Sequence, residues 1–267
     1  MSEEELDSSN VNYEEIISST NCMKRLQWGM PIGLQEVYNL KPSKYLEEQL
    51  KDNISGKLSI YEVESELKNY YVNKESKQIN YNELECDFVS TRIVQLLELD
   101  NFELSVDYLK YVYNFLFQDV YEFAGEFRKI NFSKHEAILN NDSVAYGEFK
   151  TLKESLEYDI EIEKSKKYRD MSIVDVTNSI ADFSGRVWQV NPFRESNTRT
   201  TTLFIEKYLI SLGYDLYNNL FKDKSVYFRN ALVRSNYFNT YLGIKINQSY
   251  LIKFYENLLL GKMMKYI

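Results

Sequence analysis

The stretch VNPFRESNTRTTTLF, residues 190–204, carries side chains that can bind a phosphate and a divalent cation. It lies between two segments with helical apolar spacing, which predicts a helix–loop–helix junction. Amides at the start of the second helix have no intrahelical partner, and the helix dipole there favours an anion. Glu195 offers the carboxylate that a hard cation prefers, and a guanidinium grips phosphate well. The donors of this stretch are Ser196, Asn197, Thr198 and Arg199.

The same residues have a second interpretation. Ser, Asn and Thr are also the residue types that cap helix N-termini, and an arginine beside a cap can be an ordinary solvated side chain. The residue types alone leave the phosphate site and the capping cluster both open.

Composition excludes several functional classes. The 267 residues carry 32 Lys and Arg against 40 Asp and Glu, a net charge of -8, so the chain lacks the basic footprint of a nucleic-acid-binding protein. His135 is the only histidine, and Cys22 and Cys86 lie far apart, which argues against a zinc site. The sequence shows no apolar leader and no run long enough to cross a membrane. We therefore expect a cytoplasmic protein without a nucleic-acid or membrane partner.

The chain is predicted to be mainly α-helical. Three prolines and nine glycines are too few for a many-turned β protein, and apolar residues recur at helical spacing along most of the chain. Ser43 and Ser172 are predicted N-caps. Residues 1–12 are interpreted as a flexible tail and 13–79 as an N-terminal helical extension. A polar linker over 73–83 leads to a larger helical domain over 84–267.

One segment breaks the helical pattern. EFRKINFSKHEAIL alternates in side-chain type, which predicts a short β-hairpin or flap at about residues 127–139. His135 is expected to be an exposed side chain of this flap. Arg128 is expected to pin the hairpin rather than bind phosphate.

The motif N-P-F-R-E-S-N-T-R-T-T-T, residues 191–202, resembles that of the Fic (Fic/Doc) family, H-x-F-x-D/E-G-N-G/K-R-x-x-R. The segment DVYEFAGEFRKINFSKHEAIL is similar to the family's YxxAGxxR segment and flap, and YFRNALVRSNY is similar to the helix that closes its nucleotide pocket. The resemblance covers roughly residues 28–262. It implies a Fic-fold helical core carrying a short β-hairpin flap, with the N-terminal extension added.

The resemblance also implies roles for individual residues. Phe193 would anchor the loop, and Glu195 would hold Mg²⁺ against the phosphates of ATP. The flap, around Lys134, would pair with a target protein as an added strand. The implied nucleotide-binding residues are Ser196, Asn197, Thr198, Arg199, Lys134, Tyr227 and Asn236.

The motif departs from the family pattern at positions that matter for catalysis. Asn191 stands where the family has a histidine as general base, and an amide cannot accept that proton near neutral pH. Ser196 and Thr198 replace glycines, whose lack of a side chain permits positive φ and close approach to phosphate. Thr202 replaces the second arginine.

Three functions therefore stay open at the sequence level. The first is a Fic-type protein adenylyltransferase, transferring AMP from ATP to a hydroxyl side chain of a target protein, weakened or inactivated by Asn191. The second is a catalytically silent nucleotide- or peptide-binding regulatory protein on the same fold. The third is a helical interaction module without a nucleotide. A homodimer is compatible with each of them.

Overall fold

The computed structural model describes residues 13–216 and 219–260, and within these ranges the side chains from residue 24 onward except that of residue 219. The predicted tail, residues 1–12, lies outside the described residues, as do residues 261–267. Ten α-helices form in the described part of the chain. They are α1 (Tyr13–Glu36), α2 (Lys44–Ile54), α3 (Ile60–Val72), α4 (Tyr81–Glu98), α5 (Val106–Phe117), α6 (Leu152–Lys164), α7 (Ile173–Val190), α8 (Asn197–Ser211), α9 (Asn219–Arg234) and α10 (Ser249–Leu260). The mainly α prediction is confirmed.

Helix ends follow the expected capping chemistry. The hydroxyl of Ser43 accepts a hydrogen bond from the Leu46 amide, and that of Ser172 accepts one from the Asp175 amide. Both bonds satisfy amides that the first helical turn leaves unpaired. The two predicted N-caps are therefore confirmed. Gly213 follows the end of α8 with φ at +88°, a conformation that glycine adopts without a steric penalty.

Two details differ from the sequence prediction. Helix α6 had not been assigned to any element from sequence. The predicted flap hairpin is reduced to one antiparallel bridge between Glu136 and Asp142, closed by a short turn over Ala137–Leu139. Asn140 and Asn141 complete that turn with positive φ. Most hydrogen bonds that hold the flap therefore come from side chains rather than from a strand ladder.

Two hydrophobic clusters lie in the described part of the chain. The larger joins α1 and α4–α10, and its fully buried aromatic residues include Phe117, Phe183, Phe204 and Phe254. The smaller joins α2 and α3 to α4, through Leu67, Tyr71 and Phe88 among others. Burying aliphatic and aromatic side chains in this way is the main favourable contribution to folding. Helices of the predicted N-terminal extension thus share core with helices of the predicted Fic domain.

Helix α1 lies close against α9. A Cβ added to Gly33 would come within 2.5 Å of the Lys222 Cα and of the Phe221 carbonyl oxygen. Glycine is needed here because any side chain would collide with the α9 backbone. The approach fixes the end of α1, with Gln35 and the following Tyr38, beneath the loop between α7 and α8.

No helix in the described residues is both long and apolar enough to cross a membrane.

Candidate functional site

The loop between α7 and α8 is bounded by two residues in the left-handed backbone region. Asn191 ends α7 with φ at 48°, and Ser196 precedes α8 with φ at 62°. This conformation costs a residue with a side chain roughly 1–2 kcal/mol. Ser196 therefore keeps a glycine-type backbone conformation despite its Cβ. Thr198 lies within α8, so its helical φ carries no such cost.

The side chain at the family's base position is held by its neighbour. The side-chain nitrogen of Asn197, Nδ2, donates to Asn191 Oδ1 at 2.8 Å and to the Phe193 carbonyl oxygen at 2.8 Å. The Phe193 amide donates to Asn197 Oδ1 at 2.9 Å. Asn191 is 2% exposed and Asn197 is 4% exposed. The polar atoms of Asn197 thus stabilise the loop, and Asn191 is a buried acceptor rather than a group aimed at solvent.

Phe193 is an apolar anchor, as the resemblance implied. It is buried, and its ring stacks on that of Tyr113 with centroids 3.8 Å apart and planes 12° apart. Behind it, the Trp188 indole nitrogen donates to the Thr198 hydroxyl at 2.9 Å. Thr198, which stands where the family has a glycine, thereby joins α8 to α7 through a buried hydrogen bond.

Arg199 lies in a closed, fully buried environment. Its Nη1 donates to Gln35 Oε1 at 2.6 Å, and its Nη2 donates to the Glu85 carboxylate and to the Ser196 hydroxyl. The guanidinium also lies 4.3 Å from the ring centroid of Tyr38. Burial by itself lowers the pKa of Arg199, but the neighbouring Tyr38 and Glu85 raise it above its usual value. The charge is thus neutralised from inside the protein.

Tyr121 completes this cluster. Its hydroxyl donates to Glu85 Oε1 at 2.8 Å and lies 3.2 Å from the Ser196 hydroxyl oxygen. Burial raises the pKa of Tyr121 to about 12, so the phenol is neutral at physiological pH. Tyr121 belongs to the YxxAGxxR segment, which provides a sequence signal for it. Gln35 and Glu85 had no such signal, because they are 164 and 114 residues from Arg199 in sequence.

The proposed cation ligand is exposed and already paired. The Glu195 carboxylate lies 3.5 Å from Lys134 Nζ, with 54% and 35% of these side chains exposed. Within the described residues there is no group of three or more His, Cys, Asp or Glu side chains arranged to hold a metal ion. Mg²⁺ can be bound by one carboxylate when substrate phosphates and water supply the other ligands. In the described part of the chain, the motif therefore offers one carboxylate, Glu195, and no preassembled metal site.

Arg128 pins the flap, as expected from the sequence. Its side chain donates to the carbonyl oxygens of Asn191, Ile130, Gly147 and Val190. A guanidinium that donates to four backbone acceptors on three segments has a structural role.

His135 is exposed and bonds to the Asn141 carbonyl through Nδ1, at 2.7 Å. It lies within the flap turn, as predicted.

Side chains of α9 and the loop after it fasten the flap. Arg229 donates from both Nη atoms to the buried Glu136 carboxylate, and Arg234 donates to the Ile138 carbonyl at 3.0 Å. The Tyr237 hydroxyl donates to Asp142 at 2.7 Å. Bidentate arginine–carboxylate pairs fix geometry as well as charge. The flap is therefore held in one position over α9.

A cavity of about 210 Å³ lies between the flap and α9. Tyr227 lines it, but none of residues 191–202 does. Asn236 is buried and donates to the carbonyl oxygens of Gly185 and Leu232 at 3.0 Å, which places it in the packing of α7 against α9. The full lining is Ile138, Tyr227, Asn230, Ala231, Arg234 and Tyr250. Asn230 and Arg234 lie within the segment YFRNALVRSNY but had no individual role assigned from sequence, and Tyr250 lies outside every motif.

Comparison with known proteins identifies the class. Residues 103–209 match the model of the Fic/DOC family, a segment that includes the flap, the motif and most of α8. Residues 103–209 therefore form a segment of the Fic/DOC type, and the helical fold of the described residues agrees with this match. No curated protein sequence matches the chain.

Solved structures confirm the fold. BepC, a VirB-translocated effector protein of Bartonella tribocorum solved with bound AMPPNP, aligns with a TM-score of 0.52 at 17% identity, over 70% of this chain and 89% of that chain. The N-terminal Fic domain of a Bep effector of Bartonella quintana, solved with ADP, gives 0.53 at 17%, over 68% and 88%. A Fic-domain signalling protein of Bacteroides thetaiotaomicron gives 0.50 at 12%, over 89% and 90%.

Proposed function

We propose that this protein is a catalytically silent member of the Fic fold. It binds an adenine nucleotide beside the flap and does not transfer AMP. The observation that carries the proposal is the burial of Arg199, whose charge is balanced by Glu85 and whose donors point to Gln35 and Ser196. A guanidinium in that environment is not available to a phosphate unless the ion pair breaks.

The chemistry of transfer supports the silent form. Phosphoryl and nucleotidyl transfer depend on positioning and on neutralising the charge that develops on the phosphate. Here the arginine is neutralised by a protein carboxylate, and Thr202 uses its hydroxyl to donate to the Thr198 carbonyl at 2.7 Å. Asn191 cannot act as a base, which typically costs about 10²–10⁴ in rate. The neutralised arginine, the absent second arginine and the absent base all slow the same step, the transfer of AMP.

Nucleotide binding is supported by relatives and by the cavity. Two of the similar structures contain AMPPNP or ADP. The cavity of about 210 Å³ between the flap and α9 is smaller than the roughly 300–1,000 Å³ of typical small-molecule sites, which suits a base or nucleoside better than a whole triphosphate. Aromatic rings of Tyr227 and Tyr250 line it. Because none of the described residues that line this cavity is an acid, we expect nucleotide binding there to depend weakly on Mg²⁺.

One observation favours a second function, a weak adenylyltransferase. Glu195 is half exposed and lies next to the flap through Lys134, where a nucleotide-bound Mg²⁺ and a target protein would meet. If a nucleotide displaced Lys134 from Glu195, the carboxylate would be free to bind the cation. Under this alternative the flap would still present its backbone to the target.

Calorimetry and labelling separate the two. ATP is titrated into the full chain with and without Mg²⁺, and label from α-³²P-ATP is followed into the chain and into added cell extract. We expect binding that Asn230→Trp, at the cavity wall, weakens at least tenfold. Val226→Trp is the matched control, on an exposed position of the same helix.

We expect no label with the unmodified chain. If the unmodified chain is labelled and the Glu195→Ala variant is not, the protein is a weak adenylyltransferase and the silent form is refuted. Absence of ATP binding would overturn both and leave an interaction module. Because Asn191→His restores a titratable group without freeing Arg199, it is expected to remain unlabelled, and strong labelling by it would show that Arg199 is available after all.

A further inference from the structure

A second cleft lies at the end of α8 opposite the motif. Tyr208 and Ser211 of α8 and Leu212 just after it line a cavity of about 540 Å³, together with the end of α6 and the segment that follows it. Tyr208 is eleven residues beyond Asn197, which corresponds to about 16 Å along a helix. The volume lies within the roughly 300–1,000 Å³ of small-molecule sites and exceeds that of the cavity beside the flap. It is a separate cleft of ligand size.

The wall of this cleft is basic although the chain is acidic overall. Lys164, Lys166, Lys167 and Arg169 line it within six residues, against the two acids Glu163 and Asp170, in a chain of net charge -8. Lys164 is paired with Glu161 at 2.8 Å. Neither Lys167 nor Arg169, both exposed, has a carboxylate within ion-pair distance among the described residues. These two cations are the natural ligands for an anion entering the cleft.

The buried acid of the cleft does not oppose an anion. Glu163 is fully buried, and its carboxylate is paired with Lys166 at 2.9 Å and accepts a hydrogen bond from the Tyr168 hydroxyl. Lys166 also donates to the Ser179 hydroxyl at 2.5 Å. This network neutralises the charge of Glu163 and holds the segment after α6 in place. The backbone that carries Lys167 and Arg169 is therefore held by its neighbours before a ligand arrives, which lowers the cost of binding.

The other side of the cleft is apolar and aromatic. Leu104, Leu212 and Tyr214 line it, beside the buried rings of Tyr168 and Tyr208, which meet edge to face with centroids 6.3 Å apart. Such a surface accepts a ring or hydrocarbon group, whereas inorganic phosphate needs none. A cleft with two unpaired cations at one side and aromatic surface at the other fits a ligand with the same two parts.

We infer that this cleft binds an organic diphosphate, with Lys167 and Arg169 on the phosphates and Tyr214 against the organic group. The site is independent of the motif and of the nucleotide binding proposed for the flap cavity. Arginine offers a fork of donors that matches phosphate oxygens, and lysine adds a mobile point charge.

The test uses the full chain and two probes, inorganic pyrophosphate and ADP, titrated by calorimetry at low ionic strength. The variant Lys167→Ala/Arg169→Ala is compared with Lys51→Ala/Lys57→Ala, which removes the same charge from exposed positions elsewhere. We expect the first double variant to weaken pyrophosphate binding at least tenfold and the second to change it less than twofold. No saturable binding, or equal loss in both variants, would overturn the inference.

Tyr214→Ala tests the organic half of the ligand. It should weaken binding of ADP several-fold while leaving that of pyrophosphate unchanged, because only ADP carries a ring. Equal effects on both probes would overturn the assignment of Tyr214. The Asn230→Trp variant separates this site from the flap cavity, since it should leave the effect of Lys167→Ala/Arg169→Ala intact. All of the altered side chains lie at the surface or partly exposed, so circular dichroism should show an unchanged fold.

Discussion

The ion pair between Arg199 and Glu85 should be one of the most costly interactions in the protein to break from one side. In Glu85→Ala the guanidinium loses the carboxylate that balances its charge, while it remains fully buried against Tyr38 and Phe117. Removing one partner of a buried pair typically costs about 3–5 kcal/mol, because an uncompensated charge is left in the interior. We therefore expect the free energy of unfolding to fall by that amount.

The loss should be measured by urea and thermal unfolding. For a domain of this size, each kcal/mol corresponds to roughly 2–4 °C in melting temperature, so a fall of about 6–20 °C is expected. The double variant Glu85→Ala/Arg199→Met removes both charges and should recover much of the loss. The control is Glu157→Ala, which breaks an exposed pair with Lys153 and should cost less than about 1 kcal/mol.

A loss for Glu85→Ala no larger than that of Glu157→Ala would refute this reasoning. It would show that Arg199 is not held by Glu85 and can turn toward a phosphate. The same result would remove the main support for the silent form of the protein, so a stability measurement tests the functional proposal without a known target.

Two further predictions concern the flap and Asp87, a buried residue of α4 whose carboxylate accepts hydrogen bonds from Ser43 and Tyr71. Burial raises the pKa of Asp87 to about 6, above the roughly 3.9 of an unfolded chain, so its stabilising contribution is full below about pH 4 and is lost as the pH rises through 6. Between pH 5 and 7 that loss is about 1 kcal/mol, and Asp87→Asn should remove this part of the pH dependence in urea titrations. Glu136→Ala removes the carboxylate that Arg229 holds, so hydrogen exchange at the amides of Glu136 and Asn141 should accelerate at least tenfold, whereas Glu157→Ala should leave it unchanged. Unchanged exchange in Glu136→Ala would mean that other contacts hold the flap.

The sequence determined the helices and the outline of the motif because these depend on local patterns. Apolar spacing placed α4, α5 and α7, and hydroxyl caps marked the starts of α2 and α7. Apolar residues continue at helical spacing from Leu116 to Val120 in the sequence, but α5 ends at Phe117. Such a stripe shows which face is buried without fixing where the backbone leaves the helix.

The environment of the motif was decided by tertiary structure. From sequence, Arg199 has the spacing of a phosphate ligand, and nothing local indicates that Gln35 and Glu85 lie beside it. The packing of α1 and α4 beneath the loop converts a surface-type cation into a buried, paired one. Likewise Asn236 belongs to a helix similar to the pocket helix of the family, yet its amide is used between α7 and α9.

By itself, then, the sequence specified a helical chain with a motif similar to that of Fic proteins, an asparagine at the position of the family's base, and serine and threonine where the family has glycines. Those are properties of residue identity and order. Only the folded chain decided which charges are neutralised, which donors are used and where the clefts lie. The physical reason is that desolvation and ion pairing depend on groups that are distant in sequence and adjacent in the fold. Desolvation and pairing in turn determine whether a guanidinium can bind a phosphate.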